Sequence, residues 1–205
     1  MPEPVFTIGH STHTVAQFVA LLQQHGITAI GDVRSRPYSR QNPHFNREEM
    51  ERFLRHAGIA YIFLGRELGA RSQDQSCYDQ GRVRYDLLAR TALFQHGLTR
   101  VREAMQTHTL AIMCAEKEPL DCHRTILVSR HLDALGLDVR HILVDGAIET
   151  HADALARLAR LLNMPETHLF LSPRELRDDT YLRQEERIAY VPDEDQSQAI
   201  RGAAG

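Results

Sequence analysis

An α/β domain built on a mostly parallel sheet is what this sequence predicts, and three observations carry the prediction. Short, largely apolar runs of strand length occur five times, and each ends in polar residues. Amphipathic stretches of helical period separate them, with Gly26, Gly58 and Gly136 placed as stops. Regular alternation of strand and helix is the pattern of βαβ units with right-handed crossovers. The expected architecture is three layers around an open, mostly parallel five-stranded sheet of flavodoxin- or Rossmann-like type. The expected strand order is 2-1-3-4-5, with a C-terminal helical extension.

Val5 to Ile8 forms the first expected strand, ending in Gly9-His10-Ser11-Thr12. Ser11 or Thr14 caps the next helix, whose apolar face is Val15, Phe18, Val19 and Leu22. Ile27 to Val33 is the second strand, with Asp32 and Arg34 at its end. The polar loop from Arg34 to Phe45 is longer than most strand-to-helix connections, which marks it as functional. Asn46 is placed to cap a helix through Met50, Phe53 and Leu54, and Ile59 to Leu64 is the third strand. Residues 70–84 are polar and read as an irregular insertion, before a helical pattern from about Leu87 to Met105 with a break near Gly97. Leu110 to Met113 is the fourth strand, Asp121 the N-cap of the helix after it, and Val139 to Val144 the fifth strand. Helices over 152–162 and 173–188 complete the chain. The organisation expected is a core over 1–150, packed helices over 151–192 and a frayed polar tail over 193–205.

Composition narrows the class. A chain of 205 residues with net charge −3 fits one α/β domain and argues against bulk attraction to nucleic acid. No run approaches the ~20 apolar residues of a membrane span, and no charged-then-apolar leader opens the sequence. Three cysteines, an odd number, do not suit a secreted disulfide framework, so a cytoplasmic protein is expected.

Ligands of open α/β sheets bind beyond the carboxyl ends of the strands. There this sequence places His10 and Ser11, Asp32 and Arg34, Glu67, and then Cys114 and Glu116, with Cys122, His123 and Arg124 at the following helix start. A thiol at a helix start is activated by the unpaired backbone N–H groups and the helix dipole. Cys114 after its strand evokes a phosphatase loop, but the loop lacks glycine and carries Leu120 where an arginine is needed. Cys114, Cys122 and His123 also form a donor set for zinc or iron, although the gap between the cysteines exceeds structural zinc spacing. Arg34, Arg36, Arg40 and Arg47, interleaved with Tyr38, His44 and Phe45, suit phosphate oxygens and base stacking.

Three segments are also familiar together. Thr7-Ile8-Gly9-His10-Ser11-Thr12, Asp32-Val33-Arg34-Ser35-Arg36-Pro37 and Met113-Cys114-Ala115-Glu116, followed by Cys122-His123-Arg124, closely resemble the DUF488 family. Asn42 to Asn46 fits as well, and Arg187-Ile188-Ala189-Tyr190 resembles the tail of one branch. The resemblance covers roughly residues 5–150 and implies a compact bacterial or archaeal α/β protein with these motifs at its strand ends. It supplies no reaction.

The leading expectation is therefore an enzyme, a hydrolase or transferase, acting on an anionic small molecule or a short nucleic acid. Cys114 or Cys122 would be its nucleophile or redox centre, Glu116, Asp32 and His10 its acid/base or orienting groups, and Ser11, Arg34, Arg36, His123 and Arg124 its substrate-binding groups. A metal-binding protein using Cys114, Cys122 and His123, and a non-catalytic nucleic-acid module using the Arg34–Arg47 loop, stand as alternatives.

Overall fold

The structure is a computed structural model, described for residues 3–165, 167 and 169–192. Strands β1 (Val5–Gly9), β2 (Ala29–Asp32), β3 (Ala60–Phe63), the hairpin pair β4 (Tyr78–Asp79) and β5 (Arg82–Val83), β6 (Leu110–Cys114), β7 (Val139–Ile142) and β8 (Ile148–Thr150) follow in chain order. Helices are α1 (Val15–Gln24), α2 (Arg47–His56), α3 (Gly65–Leu68), α4 (Tyr85–Arg90), α5 (Ala92–Ala104), α6 (Arg130–Ala134), α7 (His151–Leu161) and α8 (Pro173–Ile188). A six-stranded sheet runs β3-β2-β6-β1-β7-β8, parallel except for β8. The expected α/β class is present. No described helix is long and apolar enough to cross a membrane.

Two expectations about the sheet are corrected. Counted alone, the five parallel strands lie in the order 3-2-4-1-5, because β6 inserts between β2 and β1 and pairs with both. Both β1 and β6 are buried along their whole length, so apolarity identified central strands without saying which neighbours which. The sixth strand, β8, is too short and too exposed to carry an apolar run; it pairs antiparallel with β7 across the turn closed by Gly146.

Side-chain alternation divides the core in two. Phe6, Ile8, Ile30, Ala111 and Met113 pack with Phe18 and Leu22 of α1 and Met50 and Leu54 of α2. Val5, Ala29, Leu110, Ile112 and Cys114 pack on the opposite face with Leu98 and Val101 of α5, Ile126 and Leu127, and Leu158 of α7. The chain leaving β1 and β2 thus turns to one face and the chain leaving β6 to the other. Where such departures diverge, a crevice opens at the carboxyl edge of the sheet.

Local departures have identifiable causes. Thr14, rather than Ser11, caps α1 through a capping box. Asn46 precedes α2 but does not cap it; its Oδ1 accepts instead from Ser39 N–H at 2.7 Å, tying the long polar loop to the helix start. The 70–84 insertion is not wholly irregular, since it contains a 3₁₀ turn (Gln75–Cys77) and the β4–β5 hairpin. The helical stretch breaks at Thr91, which caps α5, while Gly97 sits inside α5. A Cβ at Gly97 would lie 2.7 Å from Glu67 Cβ and from Leu68 Cδ2, so glycine there serves the close approach of α3 and α5. The tail expected over 193–205 lies outside the described residues.

Candidate functional site

Cys114 ends β6, opposite Gly9 in β1, while Met113 pairs with Asp32 in β2. Beyond the ladder, His10 N–H donates to Cys114 O and Ser11 N–H to Ala115 O, each at 3.0 Å, so the loop stays bound to β1. Gly9 is required by that approach, because a Cβ there would fall 1.9 Å from Glu116 O. The loop makes a 3₁₀ turn over Pro119–Asp121, and the next helix starts later than expected. Asp121 does not cap it; its Oδ1 accepts from Gln184 Nε2 at 3.2 Å. Cys122 has extended backbone (φ −133°, ψ 139°). Its carbonyl accepts from Thr125 and Ile126 N–H, and its sulfur accepts from Arg124 N–H at 3.4 Å. That is N-cap geometry with a thiol in the capping role. The first turns beyond it, Arg124–Ser129, are a π-helix, a rare form frequent at functional sites.

This turn gathers four donors. The ligand atoms of Cys114, Cys122 and His123 all lie within 4.8 Å of one another. Cys114 Sγ is 3.7 Å from His123 Nδ1, and Cys122 Sγ is 2.9 Å from Glu116 Oε2. His123 Nε2 lies 3.1 Å from the Val33 carbonyl, which can only accept, so Nε2 carries a proton and Nδ1 faces the sulfurs. Arg124, 0 % exposed, donates to Glu116 O at 2.7 Å and to Lys117 O at 3.4 Å, fixing the loop from beneath.

Electrostatics follows from burying acids together. Burial opposes ionisation of Glu116, but hydrogen bonds from the Cys114 and Cys122 thiols and the charge of His123 hold its carboxyl down at about 2. Burial, contact with Cys122 and the Glu116 charge push the Cys114 thiol up. For Cys122 burial acts the same way, yet contact with Cys114 and the Arg124 guanidinium outweigh it and lower that thiol. Glu116 is thus the resident anion, and Cys122 releases its proton before Cys114. His123 is raised despite burial, through its contact with Cys122 and that residue's charge.

A second polar group occupies the other side of the same edge. Asp32, 0 % exposed, accepts from Arg34 Nε at 3.0 Å, Arg34 Nη2 at 2.7 Å and Tyr61 OH at 2.8 Å. Arg34 Nη1 donates to His10 Nε2 at 3.2 Å, and His10 Nδ1–H donates to the Ser11 carbonyl at 2.9 Å. The His10 ring stacks on Phe45 with centroids 4.3 Å apart. Burial, then the Arg34 charge, lowers His10 to about 4, so the ring is neutral with both nitrogens engaged. Burial also holds Tyr61 well above the ordinary phenol range, aided by the Asp32 charge.

Two adjoining compartments open onto these groups. One, of about 410 Å³, is lined by Cys114, Glu116, His123, Arg71, Tyr85 and Tyr190. The second, of about 340 Å³, is lined by His10, Ser11, Thr12, Gln41, Asn42 and Lys117. Arg34, Arg36, Tyr38 and Ser39 border both. Backbone pairing thus brings His10, Ser11, Asp32, Arg34, Cys114 and Glu116 to one edge, as expected, but on two faces of it. Arg124 supports the loop, and neither it nor Cys122 lines the cleft. Glu67 is drawn away by Arg100 at 2.6 Å.

The long loop is not the arginine–aromatic surface expected. Phe45 belongs to the core, Arg47 pairs with Glu51 and covers the Phe63 ring, and His44 Nε2 donates to His13 O. Arg36 and Tyr38 do reach the cleft. Arg71, Tyr85 and Tyr190 were not identified as site residues from sequence. The Arg187–Tyr190 motif was the available signal for the last; nothing local marks the other two. Tyr190 is held by its carbonyl, which accepts from Val83 N–H at 3.0 Å, and by the Arg71 guanidinium over its ring at 4.6 Å.

No curated protein and no solved structure matches the chain. Residues 14–131, more than half of its length, match the family described as "Domain of unknown function DUF488", and the chain belongs to that family.

Proposed function

We propose that the protein is a metal-dependent enzyme of the hydrolase or transferase type, in which Cys114, Cys122 and His123 hold a zinc or iron ion at the base of the cleft. Glu116 is its acid/base group, and the substrate is an anionic, nucleotide-like molecule or short nucleic acid admitted past Arg36 and Arg71. The observation that carries this reading is the orientation of His123. Its Nε2–H is committed to the Val33 carbonyl, which leaves Nδ1 facing the sulfurs. Metal-ligating histidines are held in this way, by a carbonyl or carboxylate on the ring nitrogen that does not bind the metal.

Geometry and charge support it. A tetrahedral zinc with bonds of about 2.3 Å to sulfur and 2.0–2.1 Å to nitrogen sets its ligand atoms roughly 3.5–3.8 Å apart. The Cys114 Sγ–His123 Nδ1 separation of 3.7 Å lies inside that range. Two thiolates and the Glu116 carboxylate would be offset by a divalent ion together with the Arg124 guanidinium, whose charge has no carboxylate partner among the described residues. Three protein ligands leave a position open, as in catalytic rather than structural sites. An ion held there by Cys114, Cys122 and His123 would supply Lewis-acid chemistry at the base of the cleft. Glu116 is placed to take or return a proton, Arg34 is a buttress engaged by Asp32 and His10, and Arg36 at the rim meets the incoming anion. Three unpaired cysteines accord with a reducing compartment, and we take the cytoplasm as the setting.

Metal analysis of anaerobically purified protein, reconstituted with zinc or iron(II), tests this reading. One ion per chain is expected, with loss in both Cys114→Ser and Cys122→Ser; no bound ion after reconstitution overturns it. A second reading rests on Cys114 lining the cleft while Cys122 does not. Cys114 would then be a covalent nucleophile with His123 as its base. Rapid alkylation of Cys114 by iodoacetamide, abolished in His123→Ala, would favour that reading, and an inert thiol excludes it.

A further inference from the structure

Tyr85 has a place in the cleft that the proposed metal chemistry leaves unexplained. It opens α4 directly after the β4–β5 hairpin, and its side chain is 2 % exposed within the larger core cluster. It nevertheless lines the 410 Å³ compartment, together with Cys114, Glu116 and His123. Its backbone N–H donates to Glu185 Oε1 at 2.8 Å, but its hydroxyl makes no hydrogen bond to any described residue. The hydroxyl is not among the fully buried, unpartnered side-chain atoms of the described residues, so it is reached from the cleft and is free to bond what occupies it.

The surroundings hold the ring rigidly. Arg84 N–H donates to Cys77 O at 2.8 Å just before Tyr85, and Val83 N–H is bound to Tyr190 O at 3.0 Å. Glu185 anchors the Tyr85 backbone from α8, so the insertion, the last helix and the Arg187–Tyr190 segment together fix one wall of the cleft. Arg36 and Arg71 border the same compartment beside the acids Glu116 and Asp121, Arg34 being already paired with Asp32, and such guanidinium groups suit an oxyanion. A protonated phenol can donate to a substrate oxygen, which is the contact an oxyanionic occupant calls for.

We propose that the Tyr85 hydroxyl is the hydrogen-bond donor that seats the substrate's oxyanionic group against the Cys114–Cys122–His123 site, which makes Tyr85 a substrate-binding residue. This rests on the proposed function for what the group is seated against. The shared chemistry is a tetrahedral or planar oxyanion on the substrate, a phosphoryl group being the one the arginine border fits best.

The test compares wild type with Tyr85→Phe, which removes the hydroxyl and keeps the buried ring. Both are loaded with cobalt(II), their cobalt content is measured, and inorganic phosphate is titrated calorimetrically into the loaded and the metal-free proteins. The expected result is unchanged cobalt stoichiometry and phosphate affinity weakened roughly 10- to 100-fold in Tyr85→Phe, the loss of one hydrogen bond to a charged group. Equal affinity in the two proteins overturns the proposal and assigns the hydroxyl to an ordered water. Absence of phosphate binding in wild type overturns it too, as does loss of cobalt in Tyr85→Phe. Failure of wild type to bind cobalt removes the metal reading instead, and the affinity ratio in the metal-free proteins still decides the role of Tyr85.

Discussion

The two flanks of the sheet's carboxyl edge are made of similar residues and solve burial in opposite ways. On the α1/α2 side, Asp32 meets Arg34 in a bidentate pair, Tyr61 OH donates to the same Oδ2 that Arg34 Nη2 meets, and Arg34 Nη1 donates to His10. Each charge has its opposite, and the network is closed. On the α5/α8 side, Cys114, Cys122 and Glu116 are all acids, with His123 turned toward them and Arg124 spent on backbone carbonyls. That flank gathers thiols around one carboxylate and opens into a cleft. A satisfied buried network stabilises and orients; buried clusters of acids with perturbed pKa values are enriched at functional sites.

The largest effect is expected on the closed flank. Asp32→Ala leaves the Arg34 guanidinium buried without its partner and should cost about 3–5 kcal/mol of stability. Equilibrium denaturation measures it, and a loss below ~1 kcal/mol would mean that the network is dispensable. On the open flank, stability should depend on metal instead. At a thousandfold excess over Kd, zinc should add about 4 kcal/mol to the wild type and nothing to Cys122→Ser. Thermal melts with and without chelator read this, and identical responses in the two proteins would erase the contrast.

Acid should separate the flanks further. His10 is held at about 4 in the folded protein. In the unfolded chain it titrates near 6.5. Its folded pKa is depressed, so the unfolded state binds the extra proton between these values. Its stabilising contribution is complete above pH 6.5 and is lost as pH falls toward 4, about 3 kcal/mol in all. His141, also lowered by burial and then by its neighbour His151, adds to the slope with the same sign. Denaturation midpoints at pH 7 and 5, compared with His10→Gln, test the assignment; an unchanged pH slope in that variant would refute it. The smallest effect belongs to the rim. Tyr38 is 59 % exposed and donates to Glu48 at 2.7 Å, so Tyr38→Phe should change stability by less than about 0.5 kcal/mol. A larger loss would place the rim within the structural network.

Parts of the site were legible in the residues themselves. Cys114, Glu116, Cys122 and His123 lie within ten positions of one another, and a strand followed by a turn and a helix necessarily brings such neighbours together. His10, Asp32 and Arg34 were legible as strand-end groups, but their mutual bonding was not. Arg34 read as a substrate clamp because no local pattern reveals that Asp32 and His10 take up its donors. Asp121 read as a helix cap for a related reason: its competing partner, Gln184, is far away in the chain.

What the sequence alone determined is the five parallel strands, the main helices and their inward faces. Apolar period and stop residues are local, and they specify strands and helices whatever the chain does later. Tertiary structure decided the rest. The insertion of β6 between β2 and β1, the antiparallel β8, and the closing of the cleft by Arg71, Tyr85 and Tyr190 all depend on contacts between distant segments. Such pairings are chosen by the summed burial and hydrogen bonding of the whole chain, which no single stretch encodes.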